Sequence, residues 1–175
     1  MVRRISERIR GLIPLKKIVY LIAPSKIDRN FYASLDKVLS FKNVKFFQLR
    51  IKNVSQKKLL IISRKIKKIT TKHKVKFIIN DYFTFTSKIK ADGCHMGKHD
   101  GSFKVARKKL KSKILGITCH NSKILANNAI ENKADYIAFG SFFKSSLKPS
   151  AKKANLNILK WAKKNIKKPI VAIGG

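Results

Sequence analysis

The sequence predicts an α/β fold in which helices cover a parallel β-sheet. Seven short apolar segments with the composition of buried strands alternate with segments whose apolar residues recur with the period of a helix. Two architectures share this alternation, the doubly wound sheet and the eight-stranded (β/α) TIM barrel. No G-x-G-x-x-G sequence follows the first strand, which weakens the dinucleotide-binding form of the doubly wound sheet.

Each element is predicted from a local pattern in the chain. Asp28, Ser55 and either Asn121 or Ser122 are the expected helix N-caps, because their side-chain oxygens can accept a free N–H of the first turn. Strands are expected at the apolar runs of residues 18–22, 44–51, 75–79, 93–96, 114–118, 136–139 and 170–173. Helices are expected at residues 28–39, 55–69, 82–90, 102–110, 121–130 and 156–166.

The charge of the chain is strongly positive. Its 175 residues include 42 Lys and Arg but only 8 Asp and Glu, which gives a formal net charge of +34. Most of the cations are Lys and they occur in nearly every segment, so we interpret them mainly as residues of solvated faces. Proteins that read bases usually depend on Arg, whose planar guanidinium contacts guanine at two points. A basic nucleic-acid-binding protein therefore stays open as the weaker alternative.

The organisation of the chain is predicted to be simple. Residues 1–16 form a basic N-terminal extension, and residues 17–175 form a single domain that is long enough to bury a core. No apolar run reaches the roughly 18 residues needed to cross a bilayer, and no secretory signal is recognisable. The two cysteines do not make a disulfide framework. We therefore expect a cytoplasmic protein with no membrane partner.

Polar and charged residues follow the predicted strands at five places. They are Gln48, Arg50, Lys52, Asn80, Asp81, Lys98, Asp100, Thr118, His120, Ser145 and Lys148. A barrel brings the carboxyl ends of its strands to one face, where the active sites of such proteins lie. Carboxylates, amides and cations gathered there suit a phosphorylated substrate and a metal ion. Asp92 and Asp135, each in an Ala-Asp dipeptide before a strand, are interpreted instead as turn or strand-start residues.

Six segments of the chain, in this order and at this spacing, resemble the thiamine-phosphate synthase family and its thiazole tautomerase relatives. They are QLRIK at residues 48–52, IND at 79–81, ADGCHMGKHD at 91–100, GITCH at 116–120, ADYIAFG at 134–140 and PIVAIGG at 169–175. The resemblance covers residues 18–175. It implies a (β/α)8 barrel that joins hydroxymethylpyrimidine diphosphate to thiazole phosphate. In this family, pyrophosphate leaves first and the thiazole nitrogen attacks the resulting pyrimidine-methyl cation.

The resemblance also implies roles for individual residues. Asp81 and Asp100 would hold Mg²⁺, and His120 would act as acid and base only in the tautomerase alternative. Gly174 and Gly175 would let backbone N–H groups approach the thiazole phosphate. The remaining substrate-binding residues would be Gln48 at the pyrimidine, Arg50, Lys52, Asn80 and Lys148 at the pyrophosphate, and Thr118 and Ser145 as hydroxyl groups.

The sequence departs from the family pattern at three places. Lys98 replaces a glutamine, and the loop at residues 144–148 lacks a proline and has Leu147 where a second threonine is common. The chain also stops after the seventh strand, so the eighth strand of the expected barrel and its helix are missing from it. We expect such a chain to need a partner, a second copy included, or a rearranged sheet.

Overall fold

Seven parallel strands, joined by helices, make up the sheet in the computed structural model, which describes residues 18–143 and 153–174. The strands are β1 (Val19–Ile22), β2 (Val44–Leu49), β3 (Lys76–Asn80), β4 (Gly93–Met96), β5 (Ile114–His120), β6 (Tyr136–Gly140) and β7 (Ile170–Ile173). The helices are α1 (Phe31–Leu39), α2 (Gln56–Lys72), α3 (Phe103–Leu110), α4 (Lys123–Glu131) and α5 (Asn157–Asn165), with a 3₁₀ turn at Phe83–Phe85. The predicted alternation of strands and helices is confirmed.

The order of the strands decides between the two predicted architectures. Each strand pairs in parallel with the next one along the chain, from β1 to β7 without a reversal. A doubly wound sheet reverses its strand order at a switch point, so this topology excludes it. Sequential order is the topology of a (β/α) barrel.

The sheet is also curled. In a flat sheet, β1 and β6 would lie about 24 Å apart, at roughly 4.8 Å for each of the intervals between them. In the protein, the hydroxyl oxygens of Tyr20 on β1 and Tyr136 on β6 are 2.7 Å apart. The sheet therefore bends into a nearly closed barrel. Across the described residues, seven strands are present and β1 does not pair with β7, so the eight-stranded form is not confirmed.

Side chains alternate between the two faces of the curled sheet and form two hydrophobic cores. Outward-facing residues such as Phe47, Phe77 and Phe139 pack against the helices. The barrel interior contains Phe46, Ile78, Ile114 and Tyr136, with Ile18, Tyr20 and Val171 partly buried beside them. The interior core is small, and polar groups lie directly above it.

Local signals at helix ends were predicted with mixed success. Ser55 caps α2 and accepts the N–H of Lys58 at 3.3 Å, and Ser122 caps α4. Asp28 was expected to cap α1, and this is wrong. Its carboxylate instead accepts the N–H of Asn30 at 2.9 Å, and α1 begins only at Phe31. The helix expected at residues 82–90 is only a 3₁₀ turn.

Two further expectations concern the ends and surroundings of the domain. The basic extension at residues 1–16 lies outside the described residues. Among the helices of the described part, none has the length and apolar character that a membrane span requires.

Candidate active site

The predicted site residues that the structure describes lie at the carboxyl ends of neighbouring strands. Gln48 is the penultimate residue of β2, Asn80 ends β3 and Thr118 lies near the end of β5. Since the strands are parallel and sequential, their ends form one rim of the barrel. The geometry therefore brings together groups that lie up to seventy residues apart in the sequence.

Two carboxylates face each other on this rim. Asp81 follows β3 in a left-handed conformation (φ 67°), which Asp tolerates better than most residues. Its backbone N–H donates to the carbonyl of His95 at 2.8 Å and so ties it to β4. Asp100 belongs to the turn after β4, where it accepts the N–H of Gly97 at 2.6 Å. These two turns place the Asp81 carboxyl within hydrogen-bonding reach of Asp100.

This arrangement is electrostatically unfavourable without a cation. Burial and the neighbouring Asp100 raise the pKa of Asp81 to about 7, while the charges of Lys52 and Arg50 oppose this rise. Within residues 18–143 and 153–174, no ion pair involves either carboxylate. Like charges held together and partly desolvated are typical of functional sites. The pair either shares a proton or needs a divalent cation between its oxygens.

Amides and cations surround the carboxylates. Arg50 is half-buried and close enough to influence both Asp81 and His95, whereas Lys52 is exposed. The Gln48 side chain is 3% exposed, and its amide nitrogen has no hydrogen-bond partner among the described residues. A buried donor without a partner is rare in native proteins. A bound ligand at the rim would supply the missing acceptor.

A chain of hydrogen bonds forms the floor of the site. The Tyr20 and Tyr136 hydroxyls are 2.7 Å apart, and the Tyr136 hydroxyl is 2.9 Å from His95 Nδ1. His95 Nε2 in turn lies 2.6 Å from the Thr118 hydroxyl at the rim. Burial lowers the pKa of His95 to about 4, so its imidazole is neutral at physiological pH.

A glycine makes room for this floor. A Cβ atom at Gly116 would lie only 1.9 Å from the ring of Tyr136. Any larger residue at this position of β5 would therefore displace the tyrosine. The Tyr136 ring also stacks on His95, with a centroid separation of 5.6 Å.

The other predicted site residues are less informative. Gly174 follows β7 with φ 110°, and a Cβ there would lie 2.8 Å from the backbone nitrogen of Phe142, so this position requires glycine. His120 ends β5 and Lys98 follows β4, and both residues are exposed. Ser145, Lys148 and Gly175 lie outside the described residues. The binding roles expected for all these residues stay predictions.

Sequence reasoning missed two residues of the floor, Tyr20 and Tyr136. The apolar pattern around them indicates only that both lie in strands. A signal was present, because each tyrosine places a polar group within a strand that is otherwise apolar. A buried tyrosine hydroxyl usually has a hydrogen-bond partner. The two strands are 116 residues apart, so the sequence did not indicate that these hydroxyls meet.

A curled parallel sheet with paired carboxylates, amides and cations at the carboxyl ends of its strands is the architecture of a (β/α)-barrel enzyme. The family model described as thiamine monophosphate synthase matches residues 19–175. The chain belongs to this family, which confirms the resemblance inferred from the motifs.

Relatives and a solved structure agree with this assignment. The chain is 54% identical over 161 residues to the thiamine-phosphate synthase of Pelagibacter ubique, covering 91% of this chain and 78% of that protein. It is 38% identical over 162 residues to the thiamine-phosphate synthase of Erythrobacter litoralis, covering 90% and 76%. The structure of a thiamine phosphate pyrophosphorylase from Pyrococcus furiosus matches with a TM-score of 0.79 at 27% identity. That match covers 91% of this chain and 75% of the other.

Proposed function

We propose that the chain is a thiamine-phosphate synthase, a transferase that joins hydroxymethylpyrimidine diphosphate to thiazole phosphate and releases pyrophosphate. The observation that carries this proposal is the Asp81–Asp100 pair, which faces the charges of Arg50 and Lys52 on the rim. This pair occurs in a chain that is 54% identical to a thiamine-phosphate synthase. The tautomerase alternative depends instead on His120, which is exposed at the end of β5.

The carboxylate pair fits a magnesium ion. Mg²⁺ prefers hard oxygen ligands and is commonly held by one or two carboxylates, with water and substrate phosphates completing its shell. The raised pKa of Asp81 supports this fit, because a cation between the two carboxyls would relieve their repulsion. Asp81 and Asp100 would hold the ion, which when bound supplies positive charge to the departing diphosphate.

The side chains of the rim would stabilise the same leaving group. When the bond between the pyrimidine methylene carbon and the diphosphate oxygen breaks, its electron pair goes to the diphosphate. Arg50 and Lys52, and Lys148 by the family pattern, would take up this negative charge. The amides of Gln48 and Asn80 would donate hydrogen bonds that hold the substrate in place, and the buried Gln48 donor supports this role.

The floor of the site would protect the pyrimidine-methyl cation. Tyr136 is 2% exposed and stacks on the buried His95, so the barrel is filled beneath the rim. A filled interior limits the access of water, which would otherwise capture the cation before the thiazole nitrogen does. The new carbon–nitrogen bond then forms between the pyrimidine methylene carbon and the thiazole ring nitrogen.

The proposal includes three expectations about the whole protein. We expect an eighth strand to close the barrel between β1 and β7, because Val19 is 47% exposed at an edge of β1 that pairs with no strand of the described residues. We expect the enzyme to act in the cytoplasm on soluble phosphorylated substrates. We also expect two or more copies of the protein to associate, which a measurement of the oligomeric state in solution would test.

The decisive experiment measures pyrophosphate release from both substrates with and without Mg²⁺. We expect EDTA to abolish turnover and added Mg²⁺ to restore it. We also expect Asp81→Ala to reduce turnover on the order of 100-fold. Glu131→Gln is the matched control, since this carboxylate is exposed on α4 and its removal should leave turnover unchanged. Absence of turnover, or full turnover by Asp81→Ala, would contradict the proposal. Thiazole isomerisation that persists in EDTA would favour the tautomerase instead.

A further inference from the structure

The hydrogen-bond chain in the floor has a direction that can be worked out from its donors and acceptors. It runs from Tyr20 through Tyr136 and His95 to Thr118, with separations of 2.7, 2.9 and 2.6 Å. It crosses four strands and ends at the rim beside the proposed substrate site. The distances do not show where the protons lie, and two opposite arrangements of the donors are compatible with them.

In the first arrangement, every donor points towards the rim. Tyr20 donates to Tyr136, Tyr136 donates to His95 Nδ1, and His95 Nε2–H donates to the oxygen of Thr118. The neutral imidazole allows this, because one of its nitrogens donates and the other accepts. Thr118 then keeps its own O–H free to donate to a ligand.

In the second arrangement, every donor points into the barrel. Thr118 donates to His95 Nε2, Nδ1–H donates to Tyr136, and Tyr136 donates to Tyr20. The O–H of Tyr20 then has no acceptor among the described residues. Burial around this hydroxyl also raises the pKa of Tyr20 above its ordinary range. Each arrangement therefore leaves one O–H without a protein acceptor. In the second it is that of Tyr20, inside the barrel, whereas in the first it is that of Thr118 at the rim, where water or a ligand can accept it.

We propose that His95 is held as its Nε2–H tautomer by Tyr136, and that this fixes the Thr118 hydroxyl as a hydrogen-bond donor to the diphosphate substrate. His95 and Tyr136 are positioning residues in this scheme, since they act through Thr118. The identity of the ligand rests on the proposed function, but the tautomer does not.

The tautomer is tested directly by NMR of protein labelled with ¹⁵N in its histidines. Long-range proton–nitrogen correlations distinguish a protonated Nε2 from a protonated Nδ1, and loss of the signals in His95→Gln assigns them. We expect a protonated Nε2 and an unprotonated Nδ1 at pH 7. A protonated Nδ1 would overturn the proposal and leave the synthase assignment intact.

The action through Thr118 is tested by a double-mutant cycle on turnover. Tyr136→Phe removes the donor to His95 and should lower kcat/KM about 3- to 10-fold, the size expected for one hydrogen bond. In a Thr118→Val background, which lacks the hydroxyl, Tyr136→Phe should have little further effect. Thr118→Ser keeps the hydroxyl and should retain most of the activity.

The controls separate positioning from packing. Tyr32→Phe removes a tyrosine hydroxyl from α1 and should change neither kcat/KM nor the tautomer. If Tyr136→Phe and Thr118→Val instead have independent, multiplicative effects, Tyr136 does not act through the hydroxyl and the proposal is wrong. If none of the proteins releases pyrophosphate, the proposed function fails, while the NMR result still decides the tautomer.

Discussion

The two ends of the barrel use the same residue, aspartate, in opposite ways. Asp92 and Asp135 lie at the amino ends of β4 and β6, whereas Asp81 and Asp100 lie at the carboxyl ends of β3 and β4. The first two have their charges matched by cations and backbone donors. The second two face each other. This difference distinguishes the end that stabilises the fold from the end where we propose that ligands bind.

At the amino ends, each carboxylate joins two elements. Asp92 accepts hydrogen bonds from Lys67 on α2 at 2.9 Å and from the N–H of Phe77 on β3 at 2.8 Å. Asp135 accepts equivalent bonds at 2.9 Å from Arg107 on α3 and from a backbone N–H of β5. The repeated Ala-Asp dipeptide is therefore a repeated structural device, as its position before the strands predicted.

At the carboxyl ends, neither Asp81 nor Asp100 forms an ion pair with a cation of the described residues. A designed fold would place a cation or a neutral residue here, because paired carboxylates destabilise one another. The protein instead keeps two of its eight acidic residues at this point. Substitutions at the two ends should therefore have opposite effects on stability.

The largest expected effect is the loss of stability in Asp135→Ala. The Asp135 side chain is 1% exposed and paired with Arg107, which is 12% exposed. Removing one partner of a buried ion pair costs about 3–5 kcal/mol, because the remaining charge loses its buried counter-charge. Urea unfolding measures the change. Glu131→Ala removes an exposed charge and should alter the unfolding free energy by less than about 0.5 kcal/mol; equal losses in both variants would contradict the comparison.

At the carboxyl ends of the strands, Asp81→Asn should lower the activity and raise the stability. Turnover should fall on the order of 100-fold, because the proposed Mg²⁺ would lose one of its carboxylate ligands. The unfolding free energy of the metal-free protein should rise by up to about 1 kcal/mol, since the repulsion is removed but solvent screens it. The matched substitution Asp92→Asn should lower stability and leave turnover by the folded protein intact. Destabilisation by Asp81→Asn would show that the pair is a structural element after all.

The stability difference between Asp81→Asn and the unsubstituted protein should depend on pH. Asp81 has a pKa of about 7 in the folded protein, compared with about 3.9 in an unfolded chain. Between these values the folded state binds more protons, so the contribution of Asp81 to stability falls as pH rises. The variant should therefore match the unsubstituted protein near pH 4 and exceed it increasingly up to pH 8.

Melting temperatures in EDTA would measure this pH dependence. The lowered pKa of His95 affects both proteins equally and cancels in the difference. If the proposed site holds Mg²⁺, the ion added at pH 8 should stabilise only the unsubstituted protein, because it would bind the folded form of that protein. A difference that stays constant from pH 4 to pH 8 would contradict the raised pKa.

The sequence predicted the strands and the polar rim well, because both depend on local patterns. Buried parallel strands require apolar runs, and barrels place functional residues just after them. The proximity of Asp81 to Asp100 was harder to predict from the sequence, since it depends on how the turn at residues 97–100 folds back. The contact of Tyr20 with Tyr136 could not be predicted locally, because it exists only when the sheet curls. Asp28 failed as a cap because its carboxylate instead bonds an N–H before α1 starts.

The smallest expected effect tests whether burial sets the strength of the pairs at the amino ends. Lys67 and Asp92 are 27% and 25% exposed, much more than Arg107 and Asp135. Lys67→Met should therefore lower the unfolding free energy by at most about 1 kcal/mol, since Asp92 keeps its bond to Phe77 and solvent screens its charge. The loss should shrink further in 1 M salt, where charges are screened within about 3 Å. A loss as large as that of Asp135→Ala would mean that the shared geometry, and not burial, determines what each aspartate contributes.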